Sequence, residues 1–186
     1  MDQIVIEDPQ YGLIEYDLGN SIPTANFLSH VKNLGVEFRK YATVVKNKKR
    51  APGYSYNIVP GINNKSSGWA YIVSIGGTVA KIGQSDATLY SRFNSYQAGT
   101  RKNREKGTCS VTNWYCSEVW RQALDQGSFI EVYVFSVPTT VTRVKVMGKV
   151  REVRNKHAYV FEYELLNEYK NLAGSYPVLS NNTSEV

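Results

Sequence analysis

Cysteine and histidine are scarce in this chain: Cys109, Cys116, His30 and His157 are the whole supply in 186 residues. Two thiols cannot build a disulfide framework, and their spacing is not C-x-x-C. Two histidines add too few donors for a structural zinc site. The expectation is two reduced thiols and no structural metal. Long apolar runs are missing as well; none approaches the roughly 20 residues that a membrane-crossing helix needs. The opening MDQIVIEDPQ is acidic and lacks the basic stretch of a secretory signal. A cytoplasmic location is expected, free or associated with the nucleoid, with no membrane partner and no small-molecule cofactor. No internal repeat or low-complexity segment is visible. The last scarcity is positional: residues 1–31 hold five acids and no Lys or Arg.

All 22 Lys and Arg therefore fall in the remainder, against 11 acids. They gather in three places: Lys32 to Arg50, Arg101 to Lys106, and Arg143 to Lys156. A single such run is usually a solvated face. Three of them, with 14 tyrosines in the same chain, favour a surface for a polyanion. The hydrophobic fraction of 42% is that of a folded protein, and the length suits one compact domain with an N-terminal extension.

The densest pattern runs from Gly68 to Tyr96. Residues 69–75, aromatic and β-branched, predict a strand. Gly76-Gly77 supplies a turn, and residues 78–83 the returning strand. Tyr71 and Lys81 share a sheet face only if an extra residue intervenes. We therefore expect a three-residue loop, Ile75-Gly76-Gly77, or an equivalent bulge, with Tyr71 opposite Lys81. Ser85 or Asp86 is the expected cap of a helix. Leu89 and Phe93 make its buried stripe, Arg92 and Tyr96 project together one turn apart, and Gly99 ends it.

Elsewhere the pattern is coarser. Residues 1–20 read as short strands. Pro23 opens an amphipathic helix with Phe27, Leu28, Val31 and Leu34. Residues 46–56 look like a flexible basic connection, and 61–67 like a polar loop. Thr112 or Asn113 is expected to cap a helix running to about Gln126. Residues 129–137 predict a central buried strand. Residues 141–153 alternate around Gly148, predicting a hairpin with basic outward positions. The C-terminal helix AYVFEYELLNEYKNLAG has an apolar stripe of Ala158, Phe161, Leu165, Tyr169 and Leu172. The last residues, 181–186, are expected to be a frayed tail.

Gly68-Trp69-Ala70-Tyr71, then Lys81-Ile82-Gly83, then Arg92 with Tyr96 one turn on, resembles the core of the GIY-YIG nucleases. Lys in place of the second motif tyrosine, and the segment Lys106 to Asn113, are similar to a type II restriction endonuclease branch of that family. The likeness spans about residues 66–180. It implies an α+β fold: a small central antiparallel sheet flanked by helices, with residues 1–60 as an N-terminal extension (a DNA-binding or dimerisation arm), residues 61–180 as the catalytic domain, and an inserted β-hairpin. It implies a Mg²⁺-dependent hydrolase within a restriction-modification system, a homodimer acting on both strands of DNA, and one metal per site, with Mn²⁺ as an acceptable substitute.

It also implies a catalytic set of Tyr71, Lys81, Arg92, Tyr96 and Glu162. A guanidinium at Arg92 suits a non-bridging phosphate oxygen. Tyr71 would orient or deprotonate the attacking water. A free phenol keeps its proton at neutral pH, so Lys81 or the metal would have to favour the phenolate; alternatively Lys81 binds phosphate or is itself the base. Tyr96 would donate a hydrogen bond nearby. For the metal the family pattern Glu-x-x-Leu-Leu selects Glu162, and at about 100° per residue it lies nearer the apolar stripe than Glu164, with Glu168 third. The DNA contacts would come from Lys46, Lys48, Lys49 and Arg50 on phosphates, and from Arg101, Lys102, Asn103, Arg104, Lys106 and Asn113 beside the catalytic helix. Two other readings stay open: a DNA-binding module with an inactive core, and a repair or homing nuclease.

Overall fold

A computed structural model describes residues 3–9, 11–62 and 68–180. Residues 63–67 of the expected loop at 61–67 lie outside the described residues, as does the expected tail at 181–186. A hairpin of β1 (Gln3–Asp8) and β2 (Gly12–Asp17) leads into α1 (Thr24–Asn33). Strands β3 (Arg39–Lys46), β4 (Tyr54–Ile58), β5 (Trp69–Ile75) and β6 (Thr78–Ser85) follow. Next come α2 (Leu89–Gln97), the short α3 (Arg101–Glu105), α4 (Val111–Asp125) and β7 (Ile130–Ser136). A second hairpin, β8 (Thr139–Val146) and β9 (Lys149–Lys156), precedes α5 (Ala158–Ala173).

Five strands make one antiparallel sheet in the order β4-β3-β7-β5-β6. β7 is central, as its β-branched and aromatic sequence predicts, and every residue of β5 is buried. Helices cover both faces. On one side α2, α4 and the β1–β2 hairpin pack Phe93, Tyr96, Trp114, Trp120, Ile4 and Ile6 against Tyr71 and Val73. On the other, α1 and α5 pack Phe27, Leu165 and Tyr169 against Ile72 and Ile82. The structure is thus α+β with a helix-flanked antiparallel sheet. Among the described residues no helix is long and apolar enough to cross a membrane.

Several expectations need correction. The sheet draws β3 and β4 from before residue 60, so the expected boundary there cuts through one hydrogen-bonded layer. The expected flexible connection at 46–56 is a turn closed by Asn47 N–H on Gly53 O at 2.7 Å, followed by β4 with Tyr54 fully buried. Thr88 caps α2 and Ser110 caps α4, each side chain accepting from the amide three residues on; such a cap is worth about 1 kcal/mol. Leu172 and Leu34 are exposed, and Leu166 is buried in place of Leu172.

The turn joining β5 and β6 has two residues, not three: Ile75 pairs with Thr78 across Gly76-Gly77, both at positive φ. The extra residue sits instead in β6. Val73 faces Lys81 while Ser74 faces Val79, a bulge at Ala80. Tyr71 therefore pairs with Gly83 and not with Lys81. Because side chains alternate, the bulge still brings Lys81 to the face that carries Tyr71 and Val73.

Candidate active site

Three side chains form a closed hydrogen-bonded triangle where β5 meets α2. The hydroxyls of Tyr71 and Tyr96 lie 2.6 Å apart. Arg92 donates from Nε to the Tyr71 oxygen and from Nη2 to the Tyr96 oxygen, both at 2.9 Å. Its guanidinium carbon stands 4.7 Å from the Tyr96 ring centre. The helix makes this possible: residues four apart share a face, and the buried Leu89 and Phe93 on the neighbouring stripe fix α2 on the sheet.

Burial, then the Tyr71 oxygen, raises the pKa of Tyr96 well above the ordinary phenol value. Burial works against the Arg92 cation, but the two phenol oxygens outweigh it and its pKa is raised. Arg92 can only donate, and Tyr96 keeps its proton. Either phenol can donate across the short Tyr–Tyr contact, while Arg92 donates to both oxygens. Tyr71 and Tyr96 have no exposed surface, whereas Arg92 lines a shallow pocket of about 260 Å³ with Gln84, Ser85, Asp86 and Ser95.

Lys81 is buried, with Nζ donating to the Leu179 carbonyl at 2.8 Å. The segment carrying Leu179 runs along the outer edge of β6: Leu179 N–H bonds Ala80 O at 2.9 Å, and the Ser180 hydroxyl bridges the N–H and O of Ile82.

Glu162 approaches the same strand from α5. Burial raises its carboxyl pKa, partly offset by Lys81, by Arg92 and by a backbone hydrogen bond from Gln84. The other two carboxylates stand apart. Glu164 is exposed beside Val31, Leu34 and Val160. Glu168 contacts His30 at 2.7 Å. Tyr71, Lys81, Arg92, Tyr96 and Glu162 thus collect around β6, with the phenols on one sheet face and the carboxylate reaching in from the helix on the other.

The donors near β6 are few. No group of three or more His, Cys, Asp or Glu able to hold an ion occurs among the described residues. A half-buried carboxylate, with the buried Oε1 of Gln84 lacking any partner nearby on β6, fits a hard cation that keeps most of its waters, as Mg²⁺ does.

The expected DNA-contacting residues divide. Lys48, Lys49, Arg50, Lys102 and Lys106 are exposed. Lys46 pairs with Asp125 at 3.4 Å and Arg101 with Glu105 at 3.1 Å. Residues 101–105 form α3: Asn103 is turned to the Ala98 carbonyl at 2.7 Å, and Arg104 pairs with the buried Asp8 at 3.5 Å. Asn113 lies in the first turn of α4, its carbonyl pressed against Gly99.

No protein-family model matches the chain, and no curated protein does. Solved structures do. The fold is similar to that of two nucleases. Restriction endonuclease HPY188I, solved in complex with product DNA, superposes with a TM-score of 0.59 at 22% identity, over 90% of each chain. A mutant of bacteriophage T4 EndoII gives 0.54 at 18% identity, over 77% of this chain and 96% of that one. At these identities the likeness is one of fold.

One motif residue has a role that the motif does not state: a Cβ at Gly83 would lie 2.3 Å from the Tyr71 hydroxyl, so the phenol ring occupies the room that only glycine leaves. Gln84 lies outside the motif reading, with no sequence signal beyond its place after Lys81-Ile82-Gly83.

Proposed function

We propose that the protein is a site-specific DNA endonuclease of the GIY-YIG type, a type II restriction enzyme that acts as a homodimer on double-stranded DNA. The observation that carries this is the Tyr71–Arg92–Tyr96 triangle facing Glu162 across one strand. The fold shared with two nucleases, one of them solved with product DNA, supports the same reading.

Glu162 would hold a single Mg²⁺, and the side-chain Oε1 of Gln84 would be available to a water bound to it. When bound, the metal would draw charge from the phosphate and the leaving oxygen. A phosphate entering the pocket meets Arg92 first, since the phenols beneath it are covered. Guanidinium binds a non-bridging oxygen more strongly than a neutral phenol, so Arg92 turns outward and uncovers the Tyr71 oxygen. That oxygen orients the attacking water. Lys81, held by Leu179, adds positive potential between the phenol and the carboxylate. Cutting both strands with one site per chain calls for two copies related by a two-fold axis.

The test is incubation of plasmid DNA with the protein and Mg²⁺. Discrete fragments that disappear in Glu162→Gln support the assignment. Smearing or nicking points to a repair-type nuclease, and absence of cutting by a DNA-binding protein points to an inactive core.

A further inference from the structure

The β8–β9 hairpin has no role in the mechanism above, yet it holds nearly all of the chain's net charge. Its two eight-residue strands and two-residue turn carry Arg143, Lys145, Lys149, Arg151, Arg154 and Lys156 against the single acid Glu152. Six cations and one acid give +5, beside +6 for the entire chain. It forms a sheet of its own. Every residue of β8 is exposed, and so is every residue of β9 except Asn155. No folded domain needs such an element for its own core.

The register sorts the side chains. Arg143, Lys145, Arg154 and Lys156 share one face, while Lys149 and Arg151 flank Val144, Val146 and Val153 on the other. The ribbon is therefore cationic on both sides. Its tip is apolar: Met147 is 98% exposed at φ 48°, a conformation that a bulky residue rarely adopts, and Gly148 follows at φ 79°. The root is tied to the candidate site. Lys156 Nζ donates to the Asp86 carbonyl at 2.9 Å, and Asp86 borders the pocket of Arg92. Thr140 and His157 close the base at 2.8 Å.

Resting on the nuclease reading, we propose that this hairpin is an arm that lies in the major groove of the substrate duplex. Two paired strands fit a groove about 12 Å wide, and eight residues extend about 27 Å. Cations on both faces reach the phosphate ridges on both sides. The Thr142, Val144 and Val153 face offers hydroxyl and methyl groups to base edges. Rooted beside Arg92, the arm places its grip next to the scissile phosphate.

The experiment compares the wild type with a variant in which Arg143, Lys145, Lys149, Arg151 and Arg154 are all Gln. Binding to a labelled duplex is measured by fluorescence anisotropy in EDTA over a salt series, with the sedimentation coefficient and melting temperature recorded in parallel. At about 0.9 in log–log slope for each phosphate contact, five contacts account for up to about 4.5. The variant is expected to lose about 3 or more of that slope and more than tenfold in affinity near 0.15 M salt, with melting unchanged. A slope within one of the wild type overturns the arm. So does conversion of a dimer to a monomer with the slope intact, which would make the hairpin a contact between copies. If the wild type cuts and binds DNA while the variant matches it, only the arm falls. If the wild type does not bind duplex DNA, the nuclease reading falls and takes the arm with it.

Discussion

Gly83→Ala is the sharpest probe of the site because it adds a single methyl group at a place where the geometry leaves none. The new Cβ would stand 2.3 Å from the Tyr71 oxygen, 2.4 Å from its Cζ and 2.7 Å from its Cε2. Real contacts begin near 3.4 Å, so the ring must shift by about 1 Å. It has little freedom to do so. Tyr71 is fully buried, its ring centre is 5.4 Å from that of Phe93, and its hydroxyl is held by Arg92 and Tyr96. Overpacking of this kind costs about 1–3 kcal/mol, which lowers the melting temperature of a chain this size by about 2–12 °C. A misplacement of about 1 Å at a catalytic group costs on the order of 100-fold in rate. Single-turnover cleavage of plasmid DNA, run well below the variant's melting temperature, should show that loss. Gly99→Ala is the control. Its Cβ would meet the Asn113 carbonyl at 2.3 Å, a backbone collision outside the phenol–arginine triangle, so it should destabilise as much while a folded sample cleaves near the normal rate. Cleavage by Gly83→Ala within threefold of the wild type would refute the claim that Tyr71 must sit where the structure places it.

Glu162→Gln should abolish cleavage and leave DNA binding intact or tighter, since a carboxylate that repels phosphate is gone. Its stability has a definite sign. Burial raises the Glu162 pKa in the folded state, so the stability it contributes is present below about pH 4.5 and lost as pH rises through the raised value. Thermal melts without metal should show the Gln variant gaining on the wild type from pH 4 to pH 7, and Mg²⁺ should narrow the gap by stabilising only the wild type; parallel melting curves would contradict this. Arg92→Lys keeps a charge but cannot bridge two phenols and a phosphate; cleavage should fall on the order of 100-fold, with the thermal stability checked alongside. Arg104→Gln leaves the buried Asp8 carboxylate without its ion pair. It should cost about 3 kcal/mol, read as a melting shift of about 6–12 °C, whereas Lys102→Gln and Lys106→Gln should leave melting unchanged.

What the sequence made legible was mostly local. Arg92 and Tyr96 project together because they are one helical turn apart. The centrality of β7 follows from its β-branched and aromatic run, broken only by Glu131, and the hairpin at Gly148 from alternation around a glycine. The same reasoning failed where a distant residue decides. Gly76-Gly77 reads equally well as part of a two- or three-residue turn; the extra residue is Ala80 in β6, whose carbonyl is met by the Leu179 amide from far along the chain. On propensity alone Thr88 and Ser110 are no better caps than nearby Ser85, Asp86, Thr112 and Asn113. Arg104 looked like a free cation because Asp8, its partner, lies 96 positions away. The lack of a Cβ at Gly83 matters only once Tyr71 lies across from it.

The strand order has a kinetic consequence. β3 with β4, and β5 with β6, are hairpins between neighbours in the chain and can zip early. Nothing joins them until β7, synthesised after both, slides between β3 and β5 and pairs with each. Loop closures of this span make a fold slow, and the hairpin that bears Tyr71 and Lys81 stays detached from half its support until the closure is complete. Once β7 is seated, it can leave only by breaking two ladders at once. Its inward residues Ile130, Val132 and Val134 are buried. Amide protons of β7 should therefore exchange only through global unfolding, while the hairpin of β8 and β9 exchanges freely around them.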